Sequence, residues 1–182
     1  MSDIKEECVV LVDENDRAIG THEKLDVHRL GLLHRAVSIL VFNSRSEMLL
    51  QRRSDDKYHS GGLWSNACCT HPRPGEQTAT AAVRRLKEEM GIQCVLTRRS
   101  KLVYRAAVSP ELVEHEFDHV FTGTYGGVPE PDPAEVCDWR WVSAAQLDRE
   151  MQRSPEQFTV WFKILYHQGL GRAGSVMTRI AS

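Results

Sequence analysis

Two carboxylates two positions apart are the first residues of this chain that call for a chemical explanation. In Leu112-Val113-Glu114-His115-Glu116-Phe117-Asp118 the side chains alternate as in a β-strand, where residues i and i+2 share a face. Glu114 and Glu116 therefore project to one side, and Val113, His115 and Phe117 to the other. Like charges held that close either raise a pKa or are neutralised by a cation, so a divalent metal is the expectation. A solvated strand face is the alternative. Cys69-Thr70-His71 repeats the spacing and sets a thiol beside an imidazole just ahead of the Pro72-Arg73-Pro74-Gly75 turn. That pair reads either as a reactive site or as a small core residue next to a satisfied histidine. His28 and His34 bound a weakly periodic stretch in which a loop can fold both rings inward. Together, His28, His34, His71, Glu114 and Glu116 supply nitrogen and oxygen ligands for a six-coordinate Mn²⁺ or Mg²⁺, and the histidines also admit Zn²⁺. The remaining histidines have no such partner pattern.

A second group is basic: Lys24, Arg52, Arg53, Lys57, Arg84 and Arg85. It reads as an anion site, or, for Arg85 and Glu89 one helical turn apart, as an ordinary surface ion pair. Phe158, Trp161, Phe162 and Leu165 form a helical apolar stripe whose plain reading is core packing, with a Trp161 ring facing a cation as the other.

Elements must carry these groups to one place. Cys8 to Val12 with Arg17 to Gly20, and Ala36 to Phe42 with Met48 to Arg53, read as two hairpins. Ala79, Ala82, Val83, Leu86 and Met90 mark one face of a helix over Thr78 to Met90, which Gly91 is placed to end in a left-handed cap. Strands are predicted at Leu102 to Ala106, Val113 to Tyr125 and Val136 to Val142. Ser143-Ala144-Ala145-Gln146 and Ser154-Pro155-Glu156-Gln157 are both capping-box sequences, the second with Pro at the first helical position, so two helices should start there, the last closed by Gly169. Ser54 to Asn66 and Gly126 to Pro133 read as loops. This order describes an α+β sandwich.

The chain has 182 residues, 41% hydrophobic and 26% charged, close to one domain of roughly 150 residues. A single domain over 1–182 is expected, and disordered, collagen-like and membrane classes are excluded. With 23 basic and 25 acidic residues, no excess positive field draws the molecule to nucleic acid or a membrane surface. Short apolar runs and an acidic start without signal-peptide character predict a cytoplasmic protein. Five cysteines, odd in number and without CxxC spacing, predict free thiols. The oligomeric state is not fixed by these features, and a monomer is compatible with them.

Thr70-x5-Glu76-x7-Arg84-Arg85-Leu86-Lys87-Glu88-Glu89-Met90-Gly91-Ile92 resembles the Nudix box, Gx5Ex7REUxEExGU. Thr70 stands in place of the first Gly, and Arg85 replaces the first Glu of REUxEE, which argues against metal-dependent diphosphate hydrolysis. Glu23-Lys24 before His28, Leu63-Trp64-Ser65-Asn66 leading into Cys69-Thr70-His71-Pro72, Tyr104-Arg105-Ala106, Glu114-His115-Glu116 and Trp161 resemble the type I isopentenyl-diphosphate isomerase family within that superfamily, over nearly the whole chain. The resemblance implies a Nudix α/β/α sandwich with a mixed sheet. It also implies interconversion of two small homoallylic and allylic diphosphates by protonation and deprotonation. In the family pattern His28, His34, His71, Glu114 and Glu116 bind a first divalent metal, and Glu89 helps hold a Mg²⁺ bridged to the substrate diphosphate. Lys24, Arg53, Lys57 and Arg85 contact the phosphates. Glu116, aided by Tyr104, and Cys69 are the acid and base, and Trp161 faces the cationic centre. A Nudix diphosphate hydrolase is the closest rival, favoured by Glu76, Arg84, Glu88 and Glu89. A non-catalytic metal- or nucleotide-sensing domain is a third reading, and it leaves Cys69 and Trp161 without a task.

Overall fold

In the computed structural model, which describes residues 8–170, nine strands form one mixed sheet around a central strand, and four α-helices pack on it. The strands are β1 (Cys8–Val12), β2 (Ala18–Glu23), β3 (His34–Phe42), β4 (Met48–Arg53), β5 (Trp64–Asn66), β6 (Cys68–Thr70), β7 (Leu96–Ala107), β8 (Val113–Thr124) and β9 (Val136–Val142). The helices are α1 (Lys24–Leu30), α2 (Thr78–Met90), α3 (Ala144–Arg153) and α4 (Val160–His167). β3 is the hub: it pairs antiparallel with β1, β4 and β6 and parallel with β8 along its whole length, from His34 opposite Glu116 to Phe42 opposite Thr124. A strand covered on both faces needs a nearly continuous apolar run, and β3 is buried at all but Arg35.

Its alternation assigns the two layers. Val37, Ile39 and Val41 pack under α2 with Ala82, Leu86 and Met90, whereas Leu40 and Phe42 pack with Val120, Leu147, Trp161, Phe162 and Leu165 below α3 and α4. The first part of that second face is polar, at His34, Ser38, Glu116 and Asp118, all buried. The predicted α+β sandwich is therefore observed, with helices on both sides of a mixed sheet. No helix among the described residues is long and apolar enough to cross a membrane.

Several elements differ from the sequence reading. The weakly periodic stretch from His28 to His34 is loop only at 31–33: His28 lies on the helix α1 and His34 opens β3; α1 is capped by the Glu23 carboxylate, which accepts from the Leu25 and Asp26 amides at 2.9 and 2.8 Å. Glu is not a favoured N-cap, which hides this start. The second strand runs to Glu23 rather than Gly20, β7 begins at Leu96 rather than Leu102, and the expected loop at 54–66 yields β5 at its end. The Ser154 capping box does not form: Pro155–Gln157 makes a single 3₁₀ turn without a side-chain cap. Phe158 is buried and extended, its backbone bridged to Trp64. Helical propagation stops there, and α4 starts afresh at Val160 under a Thr159 cap. At α3 the Ser143 hydroxyl accepts from the Gln146 amide at 3.2 Å, but the Gln146 side chain turns to Glu150 instead of reaching back.

The Gly91 cap is present. Its φ is +67°, and its amide bonds to the Leu86 and Lys87 carbonyls. A Cβ built there would lie 2.6 Å from the Glu130 carbonyl oxygen. Gly91→Ala should therefore cost more than about 1 kcal/mol in a urea titration, combining a left-handed backbone with a backbone clash. An unchanged midpoint would mean that the turn contributes nothing to α2.

Candidate active site

Strand register assembles the polar end of the sheet. His34 on β3 faces Glu116 on β8, and Glu116 faces Tyr104 on β7, so three strands in a row present an imidazole, a carboxyl and a phenol on one face. β6 places Cys69 opposite Ser38, with Sγ 3.6 Å from the Ser38 hydroxyl. His71 follows at the strand's end, and α1 lays His28 over β8. Of these, Cys69, His71, Tyr104 and Glu116 line a cleft of about 340 Å³, together with Lys24, Arg53, Lys57, His59, Arg85, Glu89, Glu114, Glu135 and Trp161. A second cleft near Phe42, Cys94 and Arg99 has no carboxylate in its wall.

The histidine end has the electronic layout of a metal site. The His28 Nδ1 lies 2.6 Å from the Lys24 carbonyl oxygen, and the His34 Nδ1 lies 2.9 Å from that of Leu32. A carbonyl only accepts, so each Nδ1 carries a proton, and in the neutral ring each Nε2 is left as a lone pair. The His34 Nε2 is 3.1 Å from the His71 Nε2, and one ligand atom from each of His28, His34, His71 and Glu114 lies within 4.8 Å of the others. His28 Nε2 and Glu114 Oε2 approach to 3.0 Å, yet neither has an aligned hydrogen-bond partner. Buried, unpaired lone pairs turned toward a common centre fit a divalent cation held by nitrogen and oxygen. Glu116 lies outside that set of four and adjoins it, with Oε1 3.0 Å from the His71 Nε2 and 3.8 Å from that of His34.

The charges are set by burial. It holds His34 down to a pKa of about 4 and depresses His71 as well, with neighbouring His34 adding to the effect, so both rings are neutral at pH 7. Burial also drives Glu116 well above the usual carboxylate range, reinforced by Glu114 and Asp118. Burial opposes ionisation of Glu114 too, but contacts with His28 and His59 outweigh it and keep that carboxyl low. The two carboxylates of one strand face are thus pushed apart, one an anion and one an acid. Tyr104 donates to Glu116 Oε2 at 2.5 Å, and its own pKa is raised by burial and by that carboxyl. Burial, then Asp118, pushes the Cys69 thiol up.

Cations and the remaining carboxylates make the other end. Arg85 donates to Glu89 at 2.5 Å and to Glu88 at 3.0 Å, and lies 3.5 Å from Glu135, to which Lys57 is also bonded. The expected Arg85–Glu89 ion pair therefore forms, but within the cleft rather than on open surface. Glu89 is 4% exposed and also accepts from Gln51 at 3.4 Å. It does not join the histidine cluster. Trp161 is 4% exposed; the Arg53 guanidinium lies 5.2 Å from its ring centroid. Of the adjacent cysteines, Cys69 faces the cleft, while Cys68 is fully buried in the core under α2.

Two site residues escaped the sequence reading. His59, expected to have no partner pattern, is buried with Nε2 3.3 Å from Glu114 Oε1 and its ring 5.7 Å from that of Trp161. It reaches the cleft because Ser60 and Gly62 both take positive φ, 52° and 73°, and curl the loop after β4. Glu135 sits just before β9, far in sequence from Lys57 and Arg85. No motif marks either residue; only the folded loops bring them in.

The NUDIX domain family matches residues 32–162. An isopentenyl-diphosphate Delta-isomerase of Serratia proteamaculans is 52% identical over 86% of this chain and 88% of its own length. One from Burkholderia multivorans is 52% identical over 93% and 94%, and one from Aromatoleum aromaticum is 46% identical over 97% and 96%. Among solved structures, a Deinococcus radiodurans protein superposes with a TM-score of 0.74 at 18% identity, covering 89% of this chain and 98% of that one. A MutT NUDIX hydrolase from Burkholderia pseudomallei does so at 0.58 and 19%, covering 75% and 97%. At such identities the structures speak for the fold, while the relatives at about half identity narrow the branch. The chain belongs to the NUDIX family and, within it, to the isopentenyl-diphosphate Delta-isomerases.

Proposed function

We propose that this protein interconverts isopentenyl and dimethylallyl diphosphate by moving a proton onto one face of an unactivated double bond and taking another away. The observation that carries the reading is that a buried acid, Glu116 with Tyr104 on its far oxygen, and a thiol, Cys69, line one cleft that also holds four cations. Protonating a plain alkene produces a tertiary carbocation, which requires an acid, a base and exclusion of water.

Glu116 delivers the proton to the terminal carbon. Its raised pKa keeps the proton available, and the Tyr104 hydroxyl stabilises the carboxylate left behind. Cys69 removes the proton from C2. The forward direction uses the proton on Glu116 and Cys69 as a thiolate, the form that burial disfavours, and the reverse direction starts from the thiol that donates to Asn66 Oδ1. Trp161 offers its ring to the cationic centre, a contact worth about 2 kcal/mol when desolvated, roughly thirtyfold in rate. Lys24, Arg53, Lys57 and Arg85 take the diphosphate by charge-assisted hydrogen bonds. His28, His34, His71, Glu114 and Glu116 would hold Mn²⁺, Mg²⁺ or Zn²⁺, and Glu89 a Mg²⁺ accompanying the diphosphate. When bound, these ions offset the charge of the paired carboxylates and of the phosphates. Arg85, at the position of a Nudix-box Glu, both removes a group that hydrolysis uses and adds one that anchors phosphate.

Incubation with isopentenyl diphosphate and Mg²⁺ in heavy water should yield dimethylallyl diphosphate carrying solvent deuterium in its carbon skeleton; release of phosphate without isomer would sink the proposal. Cys69→Ala and Glu116→Gln should each lower kcat by about 10²- to 10⁴-fold while substrate binding measured by calorimetry stays within a few fold. A fully active Cys69→Ala protein would remove sulfur from the mechanism. Mn²⁺ titrated into metal-free protein should bind more weakly as pH falls through the titration of His28, because its protonation competes with the ion. Burial opposes that protonation, but contacts with Glu114 outweigh it and raise His28 above the usual imidazole value, whereas His34, with a pKa of about 4, stays neutral through that range. His34→Ala should weaken that binding at least about tenfold, and equal affinity in the variant would exclude His34 as a ligand.

A further inference from the structure

Behind the cleft wall, a chain of buried hydrogen bonds joins Trp161 to Cys69. The Trp161 indole N–H donates to the Ser65 hydroxyl at 2.9 Å, the Ser65 hydroxyl donates to Asn66 Oδ1 at 3.1 Å, and the Cys69 thiol donates to the same oxygen at 3.3 Å. The direction of each bond is forced. An indole N–H only donates, so Ser65 must accept from it. The Asn66 amide group is spent on the Ile39 and Cys68 carbonyls at 3.1 and 2.9 Å, so its oxygen is the atom turned toward Ser65 and Cys69. Thr159, which caps α4, then donates its own hydroxyl to Ser65 at 3.1 Å. Ser65, Asn66 and Thr159 are at most 1% exposed. Neither Ser65 nor Asn66 lines the cleft, whereas Cys69 and Trp161 both do.

We propose that Ser65 is a positioning residue: by holding the Trp161 indole through this chain, it fixes the ring face that meets the carbocation, in register with the Cys69 thiol. The proposal rests on the roles given above to Trp161 and Cys69. A cation–π contact depends on the distance and tilt of the ring, and an indole is free to turn about two side-chain torsions unless its N–H is tied. A buried N–H without a partner is costly, so loss of the hydroxyl leaves the ring either strained in place or turned toward other acceptors. None of these hydrogen bonds is made by the cations that take the diphosphate, which meet the chain only where the Arg53 guanidinium lies 5.2 Å from the Trp161 ring centroid, so the effect falls on kcat more than on KM.

The test is a kinetic double-mutant cycle with Ser65→Ala and Trp161→Phe, read beside the indole ¹⁵N–¹H resonance of Trp161, assigned by its loss in Trp161→Phe. Ser65→Ala should lower kcat about fivefold, the size of one hydrogen bond, with KM for isopentenyl diphosphate within twofold, and should shift the indole resonance. Added to Trp161→Phe, it should cost nothing further, since the group it positions is already gone. Ser65→Thr, which keeps the hydroxyl, should return both kcat and the resonance toward wild type. A full Ser65→Ala loss persisting in the Trp161→Phe background would overturn the proposal. So would a wild-type kcat and resonance in Ser65→Ala, or a folded Ser65→Thr protein that fails to recover. If instead Trp161→Phe alone keeps wild-type kcat, a phenyl face serves the cation as well as the indole, and the kinetic role of Ser65, which holds the indole N–H, fails. An impaired Trp161→Phe with an additive Ser65→Ala overturns only the Ser65 proposal.

Discussion

Three carboxyl groups buried on one face of β8, at Glu114, Glu116 and Asp118, set the terms for the rest of the molecule. A strand can carry such a row inside a core only if each charge is paired, neutralised by a proton or shared with a cation. The structure uses more than one of these solutions. Glu114 keeps its charge against His28 and His59. Glu116 and Asp118 are pushed toward the protonated form by burial, Asp118 to a pKa of about 7. Each solution recruits a different element: α1 supplies His28, the loop after β4 supplies His59, β3 and the end of β6 supply His34 and His71, and the edge strand β7 supplies Tyr104. Convergence of distant segments follows from the electrostatic cost of one strand.

Register makes that convergence exact to the residue. Because β-strand side chains alternate, a slip of one position between β3 and β8 would exchange His34 and Ser38 for Arg35 and Val37 on the polar face, and move Leu40 out of the layer under α4. The apolar halves of the same strands, Leu40 and Phe42 with Val120, pack against α3 and α4 and so hold the register that the polar halves need. Core packing and site assembly are two ends of the same pair of strands. A defect in one therefore reaches the other without any contact between the residues concerned.

Much of this was legible in the sequence where periodicity is strict. The i, i+2 spacing placed Glu114 with Glu116 and, in the second pair, Cys69 with His71, and the helical spacing with a terminal Gly gave α2 and its cap. What stayed hidden has a physical reason in each case. α1 has a Glu N-cap and only Val27 and His28 buried, too little signal for seven residues. The Ser154 box was a sound local pattern overridden by burial of Phe158, which the bridge to Trp64 holds extended. His59 belongs to a loop curled by positive φ at Ser60 and Gly62, Glu135 to a turn closed by its amide on the Asp132 carbonyl, and both meet partners dozens of residues away. Their chemistry is visible only once β3, β4 and β8 have been paired. The family motif covers residues 32–162, so Lys24 and His28 enter the site from outside it, on the helix that periodicity missed.

The character of the cleft then turns on the sign of one side chain. In α2, Glu88 and Glu89 follow Arg85, and Glu135 approaches from the start of β9. A glutamate at position 85 would add a fourth negative charge to that corner and favour a cluster of divalent cations suited to activating water at a phosphate. Arginine does the reverse. Its guanidinium satisfies Glu88, Glu89 and Glu135 in turn, so the lining of the cleft carries four cations against four carboxylates. The Arg85 charge sits among Glu88, Glu89 and Glu135, whereas Lys24 acts on His28 and His71. In the proposed reaction the Arg85 corner would take the diphosphate and leave the uncharged tail to the acid and the thiol that burial has raised. Under the proposed reaction this separation is the requirement itself: the phosphates must be held hard enough to exclude water, yet kept away from the proton transfer that their charge would suppress.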